Sequence, residues 1–171
     1  MSPADARAGR LAVRRVAAVA VLVLVLDQLT KRLVVEAIPR GGSETILPFL
    51  DLVHVRNEGV AFSSFAGQPW IVGLLVLGAL GALTYWFVRN RSVRYAWLAA
   101  GMLAGGAVGN VLDRLIEGAV IDFIKPPNWP AFNLADCSIV LGMVVLVVVV
   151  ELENRRTTRE DGRRDARPQR G

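Results

Sequence analysis

The sequence predicts an all-α membrane protein with four transmembrane helices, and with a small extracytoplasmic β element and an interfacial helix between helices 1 and 2. Three observations carry that expectation. The 171 residues are 53% hydrophobic, the mean hydropathy is +0.43, and the apolar residues run in long blocks instead of alternating with polar ones. The blocks number four, and each comes near the ~20 residues that a helix needs to cross a bilayer core. Finally, 14 of the 20 Lys and Arg residues lie in the two terminal segments and the 89–94 loop. A chain that crosses four times puts those three segments on one side, which the positive-inside rule makes cytoplasmic.

Taken in order, residues 1–10 are polar and Arg-rich and read as a disordered cytoplasmic tail. Helix 1 spans about 12–37 and opens the membrane domain, residues 11–152. It is not a cleaved leader, because its apolar block ends in Asp27-Gln-Leu-Thr-Lys31 and not in a small-x-small site. Residues 39–69 form the longest non-spanning stretch. There Pro39, Gly41, Gly42 and Pro48 break helices, Leu50–Val55 reads as a strand, and Asn57-Glu58-Gly59 reads as a turn. Val60–Phe65 is apolar enough to lie in the membrane interface. Helix 2, about 70–88, carries no charge and ends near the interfacial anchors Tyr85 and Trp86. Helix 3 covers about 95–116 and helix 4 about 132–152, separated by a loop with Pro126, Pro127 and Pro130. From residue 153 on, the charged composition predicts a disordered cytoplasmic tail. No internal repeat is evident.

Composition also excludes. The net charge of +5 and pI of about 10.3 come from arginines beside apolar blocks, which suits membrane orientation better than nucleic-acid binding. The lone cysteine, Cys137, allows no internal disulfide and no thiolate metal framework. The lone histidine, His54, stands in a loop without a nearby nucleophile motif. No metal and no cofactor are expected.

A charged side chain at the bilayer centre costs roughly 2.5–3.5 kcal/mol on insertion scales. This chain nevertheless places several near its spans. Asp27 and Lys31 stand at i, i+4 on one face of helix 1, as an ion pair or as part of a site. Asn110, Asp113 and Arg114 end helix 3, beyond the small-residue series Gly101, Gly105, Gly109, with Gly106 beside it. That pattern fits a helix-packing groove with a snorkelling pair, or a functional end. Asp122 lies between large apolar side chains in Val120-Ile-Asp-Phe-Ile124, in a segment pressed to the membrane surface. Asn133 and Asp136 open helix 4, where Asn133 or Ser138 could cap the helix and an acid in the first turn favours its dipole. Together with Asn57, these residues come from five segments, and the topology puts them all at one depth, the outer face.

Those same segments resemble the bacterial lipoprotein signal peptidases (signal peptidase II, aspartic peptidase family A8). The matching pieces are Asp27-Gln-Leu-Thr-Lys31, Asn57-Glu-Gly59-Val-Ala61-Phe62, Gly105 to Arg114, Val120-Ile-Asp122-Phe123 and Phe132-Asn133-Leu-Ala135-Asp136. The resemblance implies an aspartic endopeptidase of the cytoplasmic membrane, acting as a monomer on lipid-modified prolipoproteins among membrane lipids. It would cut just before the lipidated cysteine of the substrate. It implies Asp122 and Asp136 as the catalytic pair, with Asn57, Gly59, Asn110, Arg114, Asn133 and Ala135 lining the site. Asp27 and Lys31 would support it, and Asp113 belongs to the same constellation. Arg114 is expected to orient Asp113 or the loop. Two rival readings are a small-solute transporter, which needs polar residues through the full membrane depth, and a non-catalytic scaffold built on the glycine face of helix 3.

Overall fold

A computed structural model describes residues 3–58, 69–91 and 93–165. Four helices and one small sheet make up those residues. Helix α1 runs Pro3–Ala37, α2 Pro69–Asn90, α3 Ala96–Glu117 and α4 Leu134–Asp165. Strands β1 (Ser43–Leu47) and β2 (Leu50–Asn57) follow α1, and β3 (Val120–Lys125) follows α3. The sheet is antiparallel throughout in the order β1-β2-β3.

Helix α3 is the centre of the bundle, and its glycines are the reason. A Cβ on Gly105 would sit 2.7 Å from the Ala20 carbonyl oxygen of α1, and one on Gly106 would sit 2.5 Å from the Ala135 carbonyl oxygen of α4. Those backbones approach only because no side chain intervenes. Gly101 lies likewise against Val19. Ser138 Oγ donates to the Met102 carbonyl oxygen at 3.0 Å, adding a cross-helix hydrogen bond between α4 and α3. At the end away from the sheet, Ala12, Phe87, Ala96, Ala100 and Val149 close the bundle as an apolar cluster. Gly118, with φ +74°, ends α3, and its N–H donates to the Arg114 carbonyl oxygen.

The sheet sits over the other end of the bundle. Val34, Ile38 and Phe123 are buried together there, with Leu52, Ile124 and Leu134 packed around them. Between Leu52 and Val55 the β2–β3 register slips by one residue, which is the signature of a bulge. The bulge carries His54. Its Nδ1 lies 2.9 Å from the Ile38 carbonyl oxygen, and its backbone bonds to Gly41 and Gly42 tie the sheet to the end of α1.

Four expectations change. Residues 3–10 and 153–165 are helical extensions of α1 and α4 and not disordered tails. Their Ala, Arg and Glu content favours helix, and Arg155–Glu151 and Arg156–Glu160 pair at i, i+4. The sheet is not confined to the stretch between helices 1 and 2, because a third strand joins it from beyond α3. Asp122 is therefore a strand residue and not a loop acid. His54 is buried in β2 and not placed in a loop. The interfacial helix expected near 60–65 lies outside the described residues.

Among the described residues, one helical stretch, Leu134–Glu160, is long and apolar enough by itself to cross a membrane, and Leu74–Asn90 is a shorter apolar one. The polar residues of α1 and α3 lower their hydropathy. Asp27, Lys31, Asn110 and Asp113 all point into the protein, where they are at least nine-tenths buried. Leu22, Val25, Leu29 and Leu33 face outward from α1 and are about half exposed.

Candidate active site

The site forms where the start of α4, the last turns of α3, the second half of α1 and the β2–β3 ladder meet. Asn133 is the cap of α4. Its Oδ1 accepts from the Asp136 backbone N–H at 2.9 Å, and Asp136 Oδ2 accepts from the Asn133 N–H at 3.3 Å. This reciprocal pair is a capping box, which satisfies two N–H groups that a helix start leaves open. Asp27 Oδ1 satisfies a further one, accepting from the Ala135 N–H at 2.9 Å. Ala135 thus contributes its backbone, and its small side chain lets α1 and α3 close over it.

The two candidate acids are held from every side. Asp122 Oδ2 accepts from Asn57 Nδ2 at 3.0 Å, and its Oδ1 accepts from Asn133 Nδ2 at 2.8 Å. Asp136 Oδ1 accepts from Asn110 Nδ2 at 2.8 Å. Asn133 Nδ2 also donates to Asn110 Oδ1 at 3.1 Å, so Asn110 and Asn133 link the two carboxylates in one hydrogen-bonded chain. The strand register explains the Asn57 contact. Asn57 lies opposite Val120 and Val55 opposite Asp122, which makes Asn57 and Asp122 diagonal neighbours on one face. All four carboxylate oxygens of the pair therefore accept a bond from the protein, and each oxygen keeps a lone pair for water or substrate.

Asp122 is 2% exposed. Burial pushes its carboxyl up to about 6, opposed by the Asn57 hydrogen bond and reinforced by the neighbouring Asp136 charge.

Behind the pair lies a buried charge cluster. Lys31 Nζ is 2.6 Å from Asp27 Oδ2, 2.7 Å from Asp113 Oδ2 and 3.2 Å from Asn110 Oδ1. Asp113 also accepts from Gln28 Nε2 at 2.7 Å and from the Ile121 backbone N–H at 3.2 Å. No buried side-chain nitrogen or oxygen among the described residues lacks a partner, as charges at this depth require. Gly109 makes the room, since a Cβ there would meet Asp27 Oδ2 at 2.8 Å.

Of the residues expected in the site, Asp27, Lys31, Asn57, Asn110, Asp113, Asp122, Asn133, Ala135 and Asp136 come together in this network. Arg114 stands at its edge, donating from Nη1 to the Asn110 carbonyl oxygen at 3.0 Å and feeling the charges of Asp136, Asp122 and Asp113. The ion pair described for Asp113 is with Lys31, not Arg114. Gly59 lies outside the described residues. Two partners went unnoticed in the sequence. Gln28 is an amide on an apolar helix beside Asp27, and that placement is a readable signal. Arg56 clamps β2 to the end of α3 through the Glu117 carboxylate at 3.2 Å and the Glu117 carbonyl oxygen, and nothing in the sequence marked it.

The same segments recur in other proteins. The family described as signal peptidase (SPase) II, Peptidase_A8, matches residues 19–152, which hold every residue of the network. A lipoprotein signal peptidase of Aeromonas hydrophila is 44% identical over 141 residues, covering 75% of this chain and 83% of that one. One from Syntrophomonas wolfei is 38% identical over 139 residues, covering 81% and 93%. A solved structure titled as a bacterial membrane enzyme, determined by the in meso method at 2.3 Å, superposes with a TM-score of 0.75. It is 29% identical in sequence, with 81% of this chain and 88% of that chain covered. A matching family over most of the chain, close relatives and a shared fold agree: the chain belongs to the signal peptidase II family of aspartic peptidases.

Proposed function

We propose that Asp122 and Asp136 hydrolyse the signal peptides of diacylglyceryl-modified prolipoproteins, cutting just N-terminal to the lipidated cysteine of the substrate. The observation that carries this reading is the single hydrogen-bonded chain joining the two carboxylates through Asn110 and Asn133. Peptide hydrolysis needs a base for water and an acid for the carbonyl. Two carboxylates close together do not readily ionise together, so near neutral pH the pair holds one proton. The ionised member takes a proton from water as its oxygen attacks the scissile carbonyl carbon. The protonated member donates to the carbonyl oxygen. The C–N bond then breaks as the departing amine takes a proton from the pair, and the re-forming carbonyl returns its hydroxyl proton, which restores the singly protonated pair. The two acids titrate as a unit, so the roles belong to the pair.

The enzyme is a bacterial membrane protein, and we place it in the cytoplasmic membrane with four crossings, both termini cytoplasmic and the pair at the extracytoplasmic face. The bias of Lys and Arg toward the termini and the 89–94 loop supports that topology. So does the outward-facing apolar surface of α1 and α4. A site between helices at the membrane surface admits a substrate whose signal helix and acyl chains already lie in lipid.

Purified protein reconstituted with a lipidated prolipoprotein tests the reading. Asp122→Asn and Asp136→Asn are each expected to abolish cleavage while the protein still purifies folded. Full activity in either variant rejects the pair. The transporter alternative predicts solute flux into proteoliposomes, which the apolar run of α4 below Asp136 opposes.

A further inference from the structure

The proposed chemistry leaves the opposite end of the bundle unused. There Arg10 and Arg14 of α1 and Arg91, just beyond α2, line an open cleft of about 410 Å³ with Gly9 and Val13. A second hollow of about 430 Å³, lined by Arg7, Arg10, Leu11 and Arg14, adjoins it through the shared arginines. Arg7, Arg10 and Arg14 fall at i, i+3 and i+7, on one face of α1. The turn after α2 brings Arg91 onto that face. A Cβ at Gly9 would lie 3.2 Å from Arg91 Nη1, so the absent side chain is what admits the guanidinium.

No carboxylate among the described residues pairs with Arg7, Arg10 or Arg14. Three neighbouring cations have other company: Arg15 over Trp97, Arg89 over Tyr85 and Arg94 over Tyr95, with 5.5, 5.1 and 4.7 Å to the ring centres. Guanidinium groups gathered around a cleft repel one another and match phosphate oxygens in geometry and charge. The cleft is also partly apolar. Leu11 and Val13 are 48% and 56% exposed on α1, continuing its outward apolar surface into the hollows. A soluble anion would leave them bare, whereas a lipid covers both the charge and the apolar wall. Arg14 precedes Asp27 by 13 residues, which is about 20 Å along a helix and sets the cleft well away from the acid pair.

We propose that this cleft binds the phosphodiester headgroup of an anionic phospholipid in the leaflet opposite the acid pair. The leaflet assignment rests on the crossing topology proposed above. The binding itself does not, and it is independent of the peptidase chemistry.

Native mass spectrometry of the full chain in detergent, with phosphatidylglycerol and phosphatidylcholine of identical acyl chains, tests it. Phosphatidylglycerol is expected to be retained about tenfold better or more, as several surface cations imply. The triple variant R10Q/R14Q/R91Q should lose that preference. Gly9→Leu should lose it too, by filling the cleft with every charge kept. R155Q/R156Q/R159Q removes as many charges elsewhere and should keep it. Equal retention of both lipids, an equal loss in the R155Q/R156Q/R159Q control, or an unchanged preference in both cleft variants overturns the site. Displacement of phosphatidylglycerol by equimolar inorganic phosphate overturns the lipid assignment in favour of a soluble anion. Prolipoprotein cleavage in detergent should be unchanged in the cleft variants, so failure here and failure of the acid pair are separate results.

Discussion

Lys31 shows what single residues do in this protein. It is a cation 2% exposed between Asp27 and Asp113, which are 0% and 4% exposed. Removing it strands two buried carboxylates, so Lys31→Met is expected to cost about 3–5 kcal/mol of stability. Arg56→Gln breaks a partly exposed pair and should cost under about 1 kcal/mol through lost charge. Thermal unfolding in one detergent compares them, and equal losses contradict the buried-triad account. Asp122 contributes to the pH dependence of the pair. Burial pushes its folded carboxyl up to about 6, above the ordinary value. The folded state therefore holds the proton more tightly than the unfolded state, and this residue's contribution to stability declines as pH rises between those values. Asn57 donates to the carboxylate form, so Asn57→Ala moves the limb of the kcat/KM profile nearest pH 6 to higher pH. A limb that stays or moves down contradicts the contact.

Helix contacts are decided by glycines and caps. The glycine series of α3 was visible in the sequence, but not which neighbour each glycine admits. Gly106 faces the Ala135 carbonyl oxygen, a backbone atom that cannot turn aside. Gly106→Ala is thus expected to push the first turn of α4, with Asp136, away from Asn110, and to cut cleavage by about a hundredfold or more, since about 1 Å of misplacement costs that much. Gly78→Ala on α2 meets nothing within 4 Å and should keep full activity, with helix propensity slightly improved. Parallel activity assays of the two variants decide this, and equal activity refutes the packing argument. The same logic explains the cap of α4. The sequence offered Asn133 or Ser138 as the cap and Asp136 as a first-turn acid, and the structure joins Asn133 and Asp136 in one reciprocal capping pair. That Asp27 from α1 supplies another cap was not readable, because 108 residues separate it from Ala135.

At the scale of the whole molecule, the acid pair, the sheet and the Arg-lined cleft divide between the two ends of one bundle. The proposed topology gives each end its own side of the membrane. With Cys137→Ser as background, Ser43→Cys should react with a membrane-impermeant thiol reagent in intact cells, and Arg159→Cys only after permeabilisation. Labelling of both without permeabilisation rejects four crossings with cytoplasmic termini. The family's membrane character fits the exposed Leu and Val side chains of α1 and α4, which in water would form an apolar surface too large for a soluble monomer.

The sequence alone determined the four helices and most of the polar residues that the structure gathers into one network. Long apolar runs have few alternatives in lipid, and acids and amides in such runs are costly enough to mark themselves. It also placed the start of α4 at about 132, close to the observed Leu134. Tertiary structure decided what long-range pairing controls. It put Asp122 on a strand, since β3 is too short to declare itself and is held by pairing with β2. It gave Asp113 to Lys31 and Asp27 to the cap of α4. It also drew Arg91 over Gly9. In each case the partners lie far apart in the chain: strand pairing joins β3 to β2, and glycines admit Asp27 beside Gly109 and Arg91 beside Gly9.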